Sequence, residues 1–275
     1  MKSCKKWEER PWGRFGPCPR HPPFNVDKVM GFRKPVYCND CKALPFPQPT
    51  ELVRHLLNHE EFKGVFVEVG AADGIDLSNC HFFESEWGWD GICIEANPHT
   101  FELLENNRGV AVVNCAVAKE DGDTADFCSV SGHCNGLSGL TGFLSEEDDA
   151  RINEEIESHG GTKEIISVPV RGLSGILREN RITKVDYLSI DCEGADFDIL
   201  KGIDFEEFNI SIISVEHDKS RDMHFGFDGP PINEVTEFLR KKGYNHIIKC
   251  QGDDVFLKIG AENPHGVIKA PLVYS

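Results

Sequence analysis

"FVEVGAADGI", residues 66–75, runs an apolar, β-prone segment into a turn with two glycines, Gly70 and Gly74, and sets a carboxylate, Glu68, near the end of the segment. Glycine at such a turn lets the backbone approach a ligand, and the start of a following helix offers unpaired N–H groups. The stretch therefore reads as the first strand-to-helix turn of an α/β sheet. In sheets of that kind ligands sit beyond the carboxyl ends of the strands.

The surroundings support this. Further strands are expected at 90–96, 110–117, 185–191 and 210–217, each a short and nearly continuous apolar run, with the first covering 64–70. Helical spacing falls between them, near 77–86, 98–107, 171–180, 195–201 and 231–242. Such alternation predicts a doubly wound, mainly parallel sheet covered by helices on both faces. The end of the chain differs. "YNHIIKC" (244–250), a polar "QGDD" and "VFLKI" (255–259) read as two strands joined directly, hence an antiparallel hairpin at one sheet edge. Together these features predict an α/β fold of the class I methyltransferase type, a Rossmann-like doubly wound sheet with a C-terminal antiparallel hairpin.

The chain has 275 residues, enough for one sizeable domain and a small appendage. Lys and Arg total 29 against 46 Asp and Glu, and the net charge of -17 argues against nucleic acid and anionic membranes as partners. No run approaches the length of a membrane span, and "MKSCKKWEERPWGRF" lacks the apolar core of a signal peptide. The 11 cysteines are an odd number, and Cys93, Cys115 and Cys192 fall in strand-like runs, so reduced thiols and a cytoplasmic location are expected.

Residues 1–50 are rich in Pro, Gly, Lys and Arg and form an irregular segment, with 51–275 as the main domain. From Thr50, an expected N-cap, Leu52, Leu56, Leu57 and Phe62 make a helix face. Cys38-x2-Cys41 and His55-x3-His59 bracket this junction with the spacing of a C2H2 zinc site, which would staple the segment to the helix. Cys18 and His21 are rival ligands beside Cys38 and Cys41, and the ordinary alternative leaves His55 and His59 as plain helix residues.

Two cofactors compete for the glycine turn. A dinucleotide usually takes G-x-G-x-x-G, whereas Ala72 stands where the second glycine would be. A carboxylate such as Glu68 repels pyrophosphate but accepts from the ammonium group of an amino-acid-like ligand, as in S-adenosylmethionine. Glu95, ending the second strand, would grip both ribose hydroxyls of either cofactor. At the ends of strands expected to be neighbours stand Asp191 and Glu193 on one side, and Glu216, His217 and Asp218 on the other. Asp191, Glu193 and His217 are the catalytic candidates, as general bases. Asp191, Glu216 and His217 equally suit Mg²⁺ or Ca²⁺. Helix capping is the ordinary alternative for the 193–196 stretch. The loops "GLSGL" (136–140) and "RDMHFGFDGPP" (221–231) are candidates for the pocket of an acceptor.

These residues resemble the FkbM-type methyltransferase family, from "FVEVGAADGIDLSNCHFFESEWGWDGICIEANP" through "NCAVAKEDG" and "LSGL" to "VDYLSIDCEGADFDILKGIDF" and "ISVEHD". The resemblance implies S-adenosylmethionine as cofactor. Glu68, Gly70 and Asp73, with Ala71 and Gly74 in the same turn, would lie at its methionine end. Asp76, Ser78 and Asn79 match the family's D-x-S-N stretch, with Cys80 where a threonine is usual. Glu95 and Ala96 would lie at the ribose, Ala116 and Val117 near the adenine, and Asp191 on the methyl side. The implied activity is O-methylation of a hydroxyl, most often of a sugar in a glycan or glycosylated metabolite. The rival readings are an NAD-dependent oxidoreductase on the same fold and a zinc-finger binding module with a degenerate enzyme domain.

Overall fold

The structure, a computed structural model, describes residues 49–57, 62–216, 233–250, 252–263 and 266–268. The zinc candidates Cys18, His21, Cys38, Cys41 and His59 lie outside them, as do His217 and the 221–231 loop, while His55 falls within the first helix.

The chain begins with α1 (Pro49–Leu57), β1 (Val65–Val69), α2 (His81–Ser85), β2 (Asp90–Glu95), α3 (Pro98–Asn107) and β3 (Ala111–Asn114). After an excursion described below it returns with α5 (Leu173–Glu179), β8 (Lys184–Ile190), α6 (Asp196–Lys201), β9 (Asn209–Glu216), α7 (Glu234–Lys241), β10 (Tyr244–Cys250) and β11 (Asp253–Lys258). Seven of these strands form one sheet in the order β10-β11-β9-β8-β1-β2-β3. Pairing is parallel from β9 through β3, and β11 alone runs antiparallel, between β9 and β10. The doubly wound sheet and its terminal hairpin are those expected from the alternation of apolar runs.

Strand alternation sends side chains to two cores. Val67 and Val69 join Ile92, Ile94, Leu188 and Ile213 on one face, under α5, α6 and α7. Phe66 joins Cys93, Tyr187 and Ile212 on the other, under α1, α2 and α3. Leu56, Leu57 and Phe62 are buried there as the helix face predicted, together with Val53. Thr50 is not the cap: it lies inside the first turn, and its hydroxyl donates to the Asn79 carbonyl at 2.8 Å. The helix expected over 77–86 shrinks to His81–Ser85, because Ser78 and Asn79 are held in the preceding turn by Glu68 and Thr50.

The larger departure is at 110–117. This run is not one strand: β3 stops at Asn114, whose side-chain amide donates to the carbonyls of Glu95 (2.8 Å) and Ala96 (3.3 Å) and so ends the β2–β3 ladder. The chain then enters a second sheet. β4 (Ala116–Ala118), β5 (Gly122–Val130), β6 (Gly139–Leu140) and β7 (Lys163–Gly172) pair in the order β4-β7-β5-β6. Between β5 and β7 lie a 3-10 turn at Gly132–Leu137 and α4 (Glu146–His159). Ser145 and Asp148 close a reciprocal capping box on α4, and four acids occupy its first turn, where the helix dipole favours them. Ile152 anchors α4 against Cys128, Val130 and Cys134.

Candidate active site

The strand order reverses between β1 and β8, the position at which ligands bind in this class of sheet. Immediately after β1 the backbone turns between the ends of β2 and β8. Gly70 N and Ala71 N donate to the Ile94 carbonyl, and Asp191 N donates to the Val69 carbonyl at 3.0 Å. Gly70 adopts φ +83°, and a Cβ there would stand 1.8 Å from the Asp191 carbonyl oxygen. Only glycine permits this passage.

A cavity of about 390 Å³ opens beyond that turn. Its floor is the turn with the strand ends, and its roof is the 3-10 turn, β6 and α4. Of the residues expected at the cofactor, Gly70, Ala71, Ser78, Glu95, Ala96, Ala116, Val117 and Asp191 line it. So do Glu193, Glu216 and all of the 136–140 loop. Three of its residues carry positive φ without being glycine: Ala72 (47°), Leu77 (65°) and Glu193 (48°). Backbone strain of about 1–3 kcal/mol at each such residue concentrates at functional sites.

Glu95 is buried at the end of β2. One carboxylate oxygen accepts from Ala72 N (2.8 Å) and the other from Asn97 N (2.7 Å), which fixes the plane of the group while leaving lone pairs for a ligand. Burial raises its pKa, opposed by those N–H donors. Ile94, Ala96, Ala116 and Val117 give the same end of the cavity an apolar wall.

Glu68, Asp73, Gly74 and Asn79 do not line the cavity. Glu68 shares the Phe66 face of β1, one step out of phase with Val67 and Val69. There its carboxylate accepts from Arg108 Nη1 (3.0 Å), Ser78 Oγ (2.8 Å) and Cys80 N (3.2 Å). Arg108 also donates to the Gly74 carbonyl (3.0 Å) and to Glu84, with its guanidinium over the Phe66 ring. Burial disfavours the charged guanidinium, but Glu68 and Glu84 outweigh it and hold the pKa above its ordinary value. Gly74 is required by packing, since a Cβ there would meet Leu104 at 2.6 Å and Arg108 at 2.7 Å. Asp73 stays local and accepts from Ile75 N and Asp76 N, while Asn79 donates to Ser189 Oγ at 3.1 Å.

Asp191, Glu193 and Glu216 each bring a carboxylate oxygen within 4.8 Å of the others'. Burial first, then the charge of Glu216, raises the pKa of Asp191 well above the usual carboxylate range. Asp253 adds to this, and sequence reasoning missed it by reading "QGDD" only as a turn. It faces Glu216 in the β9–β11 ladder, and burial and Glu216 raise its pKa in turn. The signal was available: an antiparallel strand begins at the sheet edge where its parallel neighbours end. No side chain caps α6, whose N-cap is Ala195; Asp196 instead accepts from Cys192 N and Gly194 N of the preceding turn and is pushed up to about 6 by burial. Burial also raises the thiols of Cys192 and Cys115, the latter to about 11, so these cavity residues are neutral and not nucleophiles near neutral pH.

The model of the methyltransferase FkbM domain matches residues 68–245. The chain belongs to the FkbM methyltransferase family. This is the family to which its motifs pointed. A methyltransferase FkbM from Methylobacillus flagellatus KT aligns at 14% identity and TM-score 0.38 over 71% of this chain, which spans 43% of that one. A precorrin-6y C5,15-methyltransferase from Geobacter metallireducens GS-15 aligns at 10% identity and TM-score 0.32, covering 80% of this chain and 88% of the other. No curated protein matches in sequence. No described helix is long and apolar enough to cross a membrane.

Proposed function

We propose that this protein is a methyltransferase that uses S-adenosylmethionine and methylates an oxygen, a sugar hydroxyl in a glycan or glycosylated metabolite, with Asp191 as general base. The observation that carries the reading is Asp191, a cavity residue whose backbone packs against Gly70 and whose carboxylate lies within 4.8 Å of those of Glu193 and Glu216. The residues present fit the cofactor. Glu95, its plane fixed by two backbone N–H groups, suits a ribose diol, and the Ala96, Ala116 and Val117 wall suits an adenine ring. When bound, the cofactor supplies an electrophilic sulfonium methyl. Asp191 would hold the acceptor hydroxyl and take its proton on a carboxylate oxygen as that hydroxyl is methylated. A carboxyl with a raised pKa is, once ionised, a stronger base for that proton than an ordinary carboxylate.

Glu68 no longer argues against a dinucleotide, because Arg108 neutralises it away from the cavity. The acids that do line the cavity make that argument instead, since a pyrophosphate would face Asp76, Glu95, Asp191, Glu193 and Glu216.

A second reading rests on the same carboxylates. Oxygens from Asp191, Glu193 and Glu216 within 4.8 Å of one another suit Mg²⁺ or Ca²⁺, which would lower the pKa of the acceptor hydroxyl. His217, expected as a further ligand, lies outside the described residues.

Calorimetric titration with S-adenosylhomocysteine and with NAD, each with and without Mg²⁺, tests both readings. Micromolar binding of the first and none of the second is expected. NAD binding alone would overturn the proposal, and a transfer rate to sugar acceptors unchanged by EDTA would remove the cation.

A further inference from the structure

Among the described residues, the cavity is lined by six acidic residues, Asp76, Glu95, Glu155, Asp191, Glu193 and Glu216, and by one basic residue, Arg151. Arg151 sits on α4, in the roof contributed by the second sheet and its connections, outside the doubly wound sheet that holds the other functional groups. Its position is rigid. Ile152, the next residue, is fully buried against Cys128, Val130 and Cys134.

Arg151 has abundant acids nearby and forms no ion pair with any described residue. Glu147 and Glu155 lie four residues to either side on the same helix, the spacing at which a helical ion pair forms. Glu155 is bound instead to His159 at 3.2 Å, and Asp149 to Lys163 at 2.7 Å. Arg151 thus lines the cavity with no described residue engaging its donors. A guanidinium offers a planar fork that matches a carboxylate or phosphate with two parallel hydrogen bonds. A neutral ligand could accept from this fork through a carbonyl or hydroxyl oxygen, but only an anion would also balance its charge. An anionic ligand, surrounded by six acids, needs one countercharge.

We propose that Arg151 receives a carboxylate or phosphate group of a ligand bound in this cavity. The inference rests on the methyltransferase reading of the cavity and deepens it. Two sources share the chemistry: the methionine carboxylate of the cofactor and an anionic group on the acceptor, such as a uronic acid or a sugar phosphate.

Two titrations of the full chain, wild type beside Arg151→Met and Arg151→Lys, separate them. In the first, S-adenosylhomocysteine is compared with 5′-methylthioadenosine, which lacks the amino-acid portion. If the cofactor is the source, Arg151→Met weakens only the former, by about tenfold or more. In the second, protein saturated with S-adenosylhomocysteine is titrated with glucuronate, glucose 6-phosphate and glucose. If the acceptor is the source, the wild type prefers the anionic sugars over glucose by about tenfold and Arg151→Met erases the preference. Arg151→Lys, which keeps the charge and loses the fork, should fall between in whichever arm responds. An unchanged melting temperature shows that the variants are folded. Wild-type response in both arms unaltered by Arg151→Met overturns the proposal while leaving the methyltransferase reading intact. Failure of the wild type to bind S-adenosylhomocysteine would count against that reading itself.

Discussion

Replacing Arg108 with methionine should be among the most destabilising single changes in this protein. The side chain is fully buried and joins three parts of the site's foundation: Glu68 on β1, the carbonyl of Gly74 in the glycine turn, and Glu84 on α2. Methionine keeps the apolar contact with Phe66 but leaves the Glu68 carboxylate, itself only 3% exposed, without its cation. Removing one partner of a buried ion pair costs roughly 3–5 kcal/mol, mostly the penalty of the charge left behind. At roughly 2–4 °C per kcal/mol for a domain of this size, the melting temperature should fall by about 10 °C. Urea unfolding of Arg108→Met, Glu68→Gln and the double variant measures the stability and the coupling. The double variant should be more stable than the sum of the single losses, by roughly 2 kcal/mol, because the stranded charge is gone. A loss under about 1 kcal/mol, or coupling near zero, would refute the view that this pair is a desolvated charge network.

Three further expectations follow from the same geometry. Glu95→Gln should weaken S-adenosylhomocysteine binding roughly a hundredfold in calorimetry, as two hydroxyl bonds to a charged acceptor are lost; affinity within about threefold of wild type would remove Glu95 from the ribose. Gly70→Ala forces a Cβ against the Asp191 carbonyl at φ +83°, and should cost more than about 3 kcal/mol in urea unfolding; near-native stability would mean that the turn does not pass between β2 and β8 as described. Because burial and Glu216 raise the pKa of Asp191, and it acts as a base only when ionised, kcat should climb with pH along a limb above the ordinary carboxylate value near about 4. Ionised Asp191 also costs stability, so this group's contribution should improve as pH falls through its raised pKa. A profile flat from about pH 5 upward would exclude Asp191 as the base, and a limb moved lower by Mg²⁺ would speak for the cation.

Much of the fold was legible because its signals are local. The apolar runs at 64–70, 90–96, 185–191 and 210–217 match β1, β2, β8 and β9 closely, and the hairpin at 244–259 needed only a short polar turn between two β-prone runs. The second sheet was not legible. β5 and β7 carry exposed and half-buried residues along much of their length, so they lack the continuous apolar pattern that marked the other strands. The break at Cys115 was hidden inside an apolar run, because the Asn114 amide that ends the ladder acts on carbonyls of another strand.

For the site, the sequence by itself determined the glycine turn after β1 and the acids at the ends of β2, β8 and β9. Glycine's tolerance of positive φ and the end of an apolar run are properties of a few consecutive residues. Tertiary structure decided which of those acids face the cavity and what they meet there. Strand phase turned Glu68 away toward Arg108, antiparallel register brought Asp253 beside Glu216, and the folding back of α4 put Arg151 into the roof. Each of these depends on pairing between segments far apart in the chain, where a shift of one residue moves a side chain to the opposite face.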